Sequence, residues 1–399
     1  MDPIDTLKRR AQAETDARRA ALIDIADTIH ANPEVAFQEH QSATLLTRTL
    51  ADNGFQVERN VAGLDTAFVA TCAGEGDGPT VAILAEYDAL PGLGHACGHN
   101  LIAAAAVGAG LALQPLLTGP QGLAGTVQVI GTPGEEGGGG KAIMVDAGLF
   151  EDVDAAMMVH PSSKNLTRRT SLTSFKIQIE FFGKPAHAAA KPDEGINALE
   201  ALILTYNGIN ALRQHLRDDV RIHGIITHGG DAPNIVPEYA AARFYVRAAD
   251  TPYTLQVIEK IQGCARGAAL ATGARLQFGE YAPHYDNRLP NPKLYDLAEA
   301  NMLALGLELS PPDERMGSSD MGNVSQVVPA IHPYVAIGPE EMGGHTAEFC
   351  QAAGSPAGHE GMIQAAKILA MTAVDLLADP ANVKEAWRAF EEQKRQQNT

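Results

Sequence analysis

Three side chains able to bind a metal ion stand at alternate positions, His95, Cys97 and His99, in the segment TVAILAEYDALPGLGHACGHNL, residues 80–101. Thiolate with imidazole suits zinc and other transition ions better than magnesium or calcium. Glu86 and Asp88 lie just upstream. Further candidates follow down the chain: Glu135-Glu136 before the glycine run 137–140, His160 before Pro161, and His345 within GGHTAEF. Adjacent glutamates can divide a task, one binding metal and the other acting as general base. Two to three histidines, a thiolate and a carboxylate make up the ligand inventory of a two-metal hydrolytic centre. Each residue also has an ordinary reading. A free cysteine is often a small buried hydrophobe, paired glutamates suit a helix N-terminus, and His160 and His345 could be a core and a loop histidine.

The elements that must carry these residues favour the metal reading. Residues 81–84 form an apolar run that reads as a buried strand and ends in the acids at 86 and 88. A second such run, 125–133, ends at the glutamate pair, and a third, 154–159, delivers His160. A fourth, 334–337, leads through glycines to His345. Open α/β sheets place their chemistry in loops at strand ends, and four strand ends carrying matched ligands argue for one shared centre. Two nucleotide motifs fail on residues. Gly92-Leu93-Gly94 has Cys97 where a dinucleotide fingerprint needs its third glycine, and Gly139-Gly140-Lys141 has Glu135 at the first glycine position of a phosphate loop. Acidic residues there would repel phosphate.

Around the site, helices are expected over 3–30 and 39–53, with Gly54 as a stop, and strands over 55–58, 66–71 and 81–85. Residues 100–113 read as an alanine-rich core helix. The pattern then changes: strand 171–182, helix 197–216, strands 221–228 and 240–248 about a turn at 229–237, helix 254–272 and strand 274–281. That βαββαβ order predicts a ferredoxin-like domain inserted into a mixed-sheet α/β metallohydrolase domain. The boundaries expected are 1–170 and 286–399 for the two halves of the catalytic domain and 171–285 for the insertion. A Pro-containing stretch at 289–292 marks the return, and helix 360–377 and a charged tail at 383–397 follow.

The 399 residues allow two domains. Hydrophobic residues make up 45%, which excludes wholesale disorder. Thirty basic against 48 acidic residues give a net charge of −18, which argues against nucleic acid and anionic membrane surfaces as partners. Four scattered cysteines do not make a disulfide framework. No signal peptide is visible in the charged N-terminal helix pattern, and no apolar run is expected to reach the length of a membrane span. A cytoplasmic location is the default expectation.

The strings EYDALPGLGHACGHN, GTPGEEGGGGK, VHP, GKPAHAA, NIVP and HTAEF resemble the dimetal aminoacylase/carboxypeptidase family of metallopeptidases. Within it they resemble the amidohydrolase subfamily of auxin-conjugate and p-aminobenzoyl-glutamate hydrolases. The match runs in order through nearly the whole chain. The resemblance implies that Cys97, His99, Glu136, His160 and His345 bind two divalent ions, zinc or manganese, and that Glu135 is the catalytic base. It implies that Asp88 orients a ligand, whereas His95 is not ordinarily a ligand. Asn100 replaces an aspartate common in the auxin-conjugate branch, which favours the p-aminobenzoyl-glutamate and dipeptide hydrolase branch. By the same resemblance the insertion is a lid and dimerisation domain of a homodimer. His187 reaches a partner's substrate carbonyl, and Asn234 and Arg247 grip a substrate carboxylate, for which arginine's planar fork is suited. Gly317–Asp320 (GSSD) resembles a loop lining the site opposite the lid.

The implied reaction is hydrolysis of an amide bond in an N-acyl-amino acid, an aminobenzoyl-glutamate-like conjugate or a dipeptide, by a metal-bridged water that Glu135 activates. Two alternatives remain: a catalytically silent binding protein on the same fold, and a metal-free thiol hydrolase using Cys97.

Overall fold

In the computed structural model, residues 3–120, 122–311 and 317–397 are described, and strands alternate with helices along most of them. The chain divides into two compact units. One comprises the described residues of Met1–Thr170, Arg288–Met316 and Asp320–Thr399, and the other Ser171–Asn287 with Gly317–Ser319.

Among the described residues, six strands precede the second unit: β1 (Gln56–Arg59), β2 (Phe68–Ala73), β3 (Thr80–Ala85), β4 (Thr126–Gly131), β5 (Ala155–Met157) and β6 (His160–Ser162). The second unit holds β7 (Phe175–Phe182), β8 (Arg221–His228), β9 (Tyr239–Arg247) and β10 (Arg275–Glu280), and β11 (Ala330–Ile331) and β12 (Tyr334–Ala336) belong again to the first.

In the first unit the sheet order is β1-β2-β4-β3-β5-β11. Pairings from β4 through β3 and β5 to β11 are parallel, and those of β1 with β2 and β2 with β4 are antiparallel. This is the mixed-sheet α/β architecture the sequence predicts. Parallel strands buried on both faces need near-continuous apolar sequence, and Val81, Ala82, Ile83 and Leu84 are all fully buried. A small separate pair, β6 with β12, aligns His160 with Tyr334.

Two helices, His99–Thr118 and Pro356–Ala378, fill the core. Contrary to the expectation about apolar runs, both are long and apolar enough to cross a membrane, but 83% and 89% of their apolar windows lie buried inside the protein. Apolarity all round is what a helix in the core of a large α/β unit needs.

The second unit has the order βαββαβ, with helices Ala198–Leu212 and Thr251–Thr272 against an antiparallel sheet ordered β10-β7-β9-β8. Asn197 and Asp250 accept backbone N–H bonds from Glu200 and Tyr253 and so start the two helices. Gly273, at φ 77°, ends the second. Ser174 and Tyr285, near its entry and exit, exchange backbone hydrogen bonds of 2.8 and 3.0 Å.

Local differences from the sequence-based expectations have local causes. The helix expected over 3–30 breaks between Pro3–Ala17 and Arg19–Ala31, where the Arg18 guanidinium bonds the Glu14 carbonyl at 2.9 Å. The core helix runs on to Thr118 past Pro115. Helix Pro292–Ala304 is an addition to the expected elements, although Asn291 caps it and Pro292 opens it, a start signal legible in the sequence.

Candidate metal centre

All the ligand candidates lie in the first unit. β3 ends at Ala85, so Glu86 and Asp88 leave the sheet at once, and a loop then returns the chain to His99, the first residue of a core helix. That loop passes Pro161 very closely. Gly98 sits at φ +76°, and a Cβ there would lie 2.5 Å from Pro161 Cγ. Glycine is required for the approach that sets Cys97 Sγ 3.5 Å from His160 Nε2. β4 ends at Gly131, and the loop beyond carries Glu135 and Glu136. His160 opens β6 and is fixed in register by β12. His345 has a left-handed backbone, φ 59°, held by its N–H bond of 2.9 Å to the Ala96 carbonyl. Such a conformation in a non-glycine residue costs energy that the surroundings must supply.

The donor atoms converge. Cys97, His99 and His160 form one group and Cys97, Glu136 and His345 another, each with ligand atoms within 4.8 Å of one another. His99, Glu135 and Glu136 form a third such group. Cys97 is therefore common to two triads, as a ligand shared by two ions would be. Asp88 Oδ1 lies 2.9 Å from His99 Nδ1, which leaves Nε2 as the nitrogen free to bind. That Nε2 is buried without a hydrogen-bond partner, and so are Glu136 Oε1 and Glu86 Oε2. Buried polar atoms are nearly always satisfied. Orphans aimed at one another across 3.3 Å, as His99 Nε2 and Glu86 Oε2 are, fit a cation between or beside them. Residue types and geometry both fit divalent metal.

The electrostatics agree. Burial works against a charged His99, but Cys97, Glu86 and Asp88 outweigh it and hold the imidazole well above its usual range. Burial also opposes the Asp88 charge, yet His99 and the Glu136 N–H keep its carboxyl low. The field at His99 thus favours positive charge at this point. Burial pulls His160 down to about 4, which leaves it neutral and able to ligate. Burial, with Glu86, Asp320 and Glu136, raises the Glu135 carboxyl well above normal. Cys97 is raised by burial, the reverse of the lowered thiol that a cysteine nucleophile requires; the metal-free thiol hydrolase is not favoured.

Four further residues of the site, Lys141, Asp320, Arg288 and His332, carry no local sequence signal as a group. Lys141, fully buried, donates from Nζ to Glu86 Oε1 and, at 2.7 Å, to Asp320 Oδ1. Oxygens of Glu86, Glu135 and Asp320 lie within 4.8 Å of one another. Buried Arg288 donates at 2.8 Å to Nδ1 of His332, whose ring centroid is 5.4 Å from that of His160. His95 makes no metal group among the described residues; its Nε2 lies 3.1 Å from the Ile29 carbonyl.

His187, Asn234 and Arg247 belong to the second unit. His187 is exposed and forms a β-bridge with Ile235, while the Asn234 carbonyl accepts the Ala188 N–H at 3.0 Å. Arg247, half-buried, donates from Nη1 to Ser318 Oγ at 2.9 Å. Of the GSSD turn, Ser318 thus meets Arg247 while Asp320 belongs with Lys141.

A mixed-sheet α/β scaffold that gathers thiol, imidazoles and carboxylates at its strand ends defines a hydrolase of the metallopeptidase class. Residues 82–370 match the profile of Peptidase family M20/M25/M40, and the chain belongs to that family. It is 40% identical over 408 residues to the Xaa-Arg dipeptidase of Mus musculus, covering 97% of this chain and 93% of the relative. It is 32% identical over 447 residues to one of the subunits of the p-aminobenzoyl-glutamate hydrolase of Escherichia coli (strain K12), covering 93% and 92%. Among solved structures, the Bacillus subtilis YxeP protein, a dinuclear metal binding peptidase from the M20 family, matches in fold. The TM-score is 0.66 at 22% identity, over 91% of this chain and 99% of that one. The protein is a hydrolase acting on peptide or amide bonds, as the sequence resemblance implies.

Proposed function

We propose that the protein is a two-metal dipeptidase that cleaves the amide bond of a small dipeptide or aminoacyl-like conjugate and releases the C-terminal amino acid. The observation that carries this is the pair of triads sharing Cys97, with Glu135 beside them. Ions held by Cys97, His99, Glu136, His160 and His345 would supply an acidified water and a Lewis acid for the scissile carbonyl. Glu135, outside both triads, takes the proton of the attacking water and passes it to the leaving amine. Asp88 keeps His99 in the ligating tautomer. Zinc or manganese is the ion we favour, on the thiolate and imidazole donors.

The dipeptide class is supported by the likeness to Xaa-Arg dipeptidase, and the aminobenzoyl-glutamate class by the second relative. The second unit is proposed as a ferredoxin-like lid through which two copies of the chain pair. Its outer strand β8 carries Ile225 and Ile226 at 66% and 45% exposure, and an open apolar sheet edge invites pairing with a like edge. His187 is proposed to act at the partner's metal centre, and Asn234 and Arg247 to hold the substrate carboxylate. Four unpaired thiols support a reducing, cytoplasmic setting.

The test is a screen of Xaa-Arg and other dipeptides, p-aminobenzoyl-glutamate, N-acetyl-amino acids and indoleacetyl-amino acids with zinc- and manganese-loaded protein. Hydrolysis lost in EDTA and regained with metal, strongest on dipeptides, is the expected result. Turnover that survives EDTA, or a loaded protein inert on every member, would overturn the reading; preference for p-aminobenzoyl-glutamate would move it to the second class.

A further inference from the structure

A lysine with no solvent exposure is costly unless its charge is answered within the protein. Lys141 is answered at two points by one residue. Asp320 Oδ1 accepts from its Nζ at 2.7 Å and Oδ2 from its backbone N–H at 2.9 Å. Glu86 Oε1 accepts a second Nζ proton, while Oε2 faces His99 Nε2 at 3.3 Å. Glu135 brings a third carboxylate oxygen to within 4.8 Å of the other two. Three acidic groups from three separate segments thus close on one ammonium. Those segments are the end of β3, the loop after β4 and the turn before helix Met321–Ser325. Without that cation the carboxylates would repel one another in a buried setting, where charges act strongly, and would have to part. Glu135 stands on a loop rather than on a strand or helix, so the charge balance of this cluster bears directly on where its oxygens point.

We infer that Lys141 is a permanent internal cation that positions the base Glu135 and, through Glu86, steadies His99. With no solvent exposure and its ammonium taken up by Glu86 and Asp320, it is a positioning residue. This rests on the proposed role of Glu135, and the test separates the two.

Lys141→Met keeps the bulk and removes the charge, whereas Lys141→Ala leaves a cavity open to a small amine. Misplacing a catalytic group by about 1 Å costs about 100-fold in rate. Both variants are therefore expected to lose about that factor in kcat with KM little changed and two metals per chain retained. Ethylammonium or propylammonium should restore kcat at least about tenfold in Lys141→Ala and leave Lys141→Met and Glu135→Gln unrescued. A second readout needs no turnover: in the cobalt-loaded protein, the visible ligand-field spectrum of Lys141→Ala should shift and return when the amine is added. Wild-type kcat in Lys141→Met would overturn the inference. So would an amine that raises the Tm of Lys141→Ala without restoring kcat or spectrum, or failure of both variants to fold with amine present; each would make Lys141 structural only. If the wild-type protein hydrolyses nothing in the screen while the cobalt spectrum still responds to the amine, the proposed function fails and the Glu86–His99 arm of the inference stands.

Discussion

Asp88 Oδ1 lies 2.9 Å from His99 Nδ1, and Oδ2 of the same carboxylate accepts the Glu136 N–H at 2.9 Å. One side chain therefore sets the tautomer of one candidate ligand and the backbone position of another. Asp88→Asn cannot satisfy both. If its amide nitrogen faces Glu136, two donors meet; if it faces His99, it donates to Nδ1 and puts the ring proton on the ligating nitrogen. Metal affinity should fall about 10- to 100-fold, measured by competition with a chromophoric chelator. Unchanged affinity would show that Asp88 does not govern the site.

The glutamate pair should separate by metal content. Glu135→Gln is expected to abolish turnover and keep its metal, because Glu135 is proposed as the base. Glu136→Gln should lose metal as well as activity, since Glu136 stands in a triad with Cys97 and His345. Elemental analysis of both purified variants decides it, and equal metal loss would remove the division of labour.

Cys97→Ser replaces an anionic thiolate common to two triads with a neutral hydroxyl. Both ions should bind at least about tenfold more weakly. Titration with zinc, followed calorimetrically, would expose a cysteine that merely packs: its stoichiometry would be normal.

Glu39 gives a pH signature in the metal-free protein. Burial, then the nearby Asp88 charge, raises its carboxyl to about 7. A carboxyl raised on folding leaves the native state more stable while it is protonated, so this contribution is lost as pH climbs from about 4.5 to about 7. The Glu39 side chain accepts from Phe37 and Gly134 N–H groups at one oxygen and from Thr66 Oγ1 at the other. Glutamine can keep all three contacts, with the Thr66 hydroxyl accepting instead of donating. Glu39→Gln should thus gain up to about 3 kcal/mol over wild type at pH 8 and little at pH 5. Urea unfolding at the two pH values measures the difference, and a gain independent of pH would contradict the assignment.

The paired-chain proposal has its own test. His187→Ala and Glu135→Gln homodimers should both be nearly inactive. Heterodimers made by co-expression should recover half the wild-type sites, because one site carries both defects and the other neither. No recovery in verified heterodimers would place His187 outside the partner's site.

The ligand candidates were legible because each announces itself locally, as a ligand type beside glycine at the end of an apolar run. What binds them together was not. Lys141 meets Glu86 across 55 positions and Asp320 across 179, and no local pattern couples residues so far apart. From sequence, Lys141 is visible only as the end of the string GTPGEEGGGGK and as part of a failed phosphate-loop motif, neither of which gives it a role. The order of strands and helices in the second unit was readable from a change of period, since half-buried antiparallel strands alternate. The break at Arg18 was not, because neither proline nor glycine marks it.

The register of β6 against β12 and of β5 against β11 also bears on how the centre comes into being during synthesis. His160 is held in place by Tyr334 and its neighbours, and His345 follows them. A ribosome adding about 5–20 residues per second makes Cys97 roughly ten to fifty seconds before His345. For most of that interval the nascent chain lacks β12, which fixes the register of His160, while every strand and helix of the second unit is made before it. Closure of the candidate centre therefore waits for β12 and His345, long after Cys97 and His99 are made.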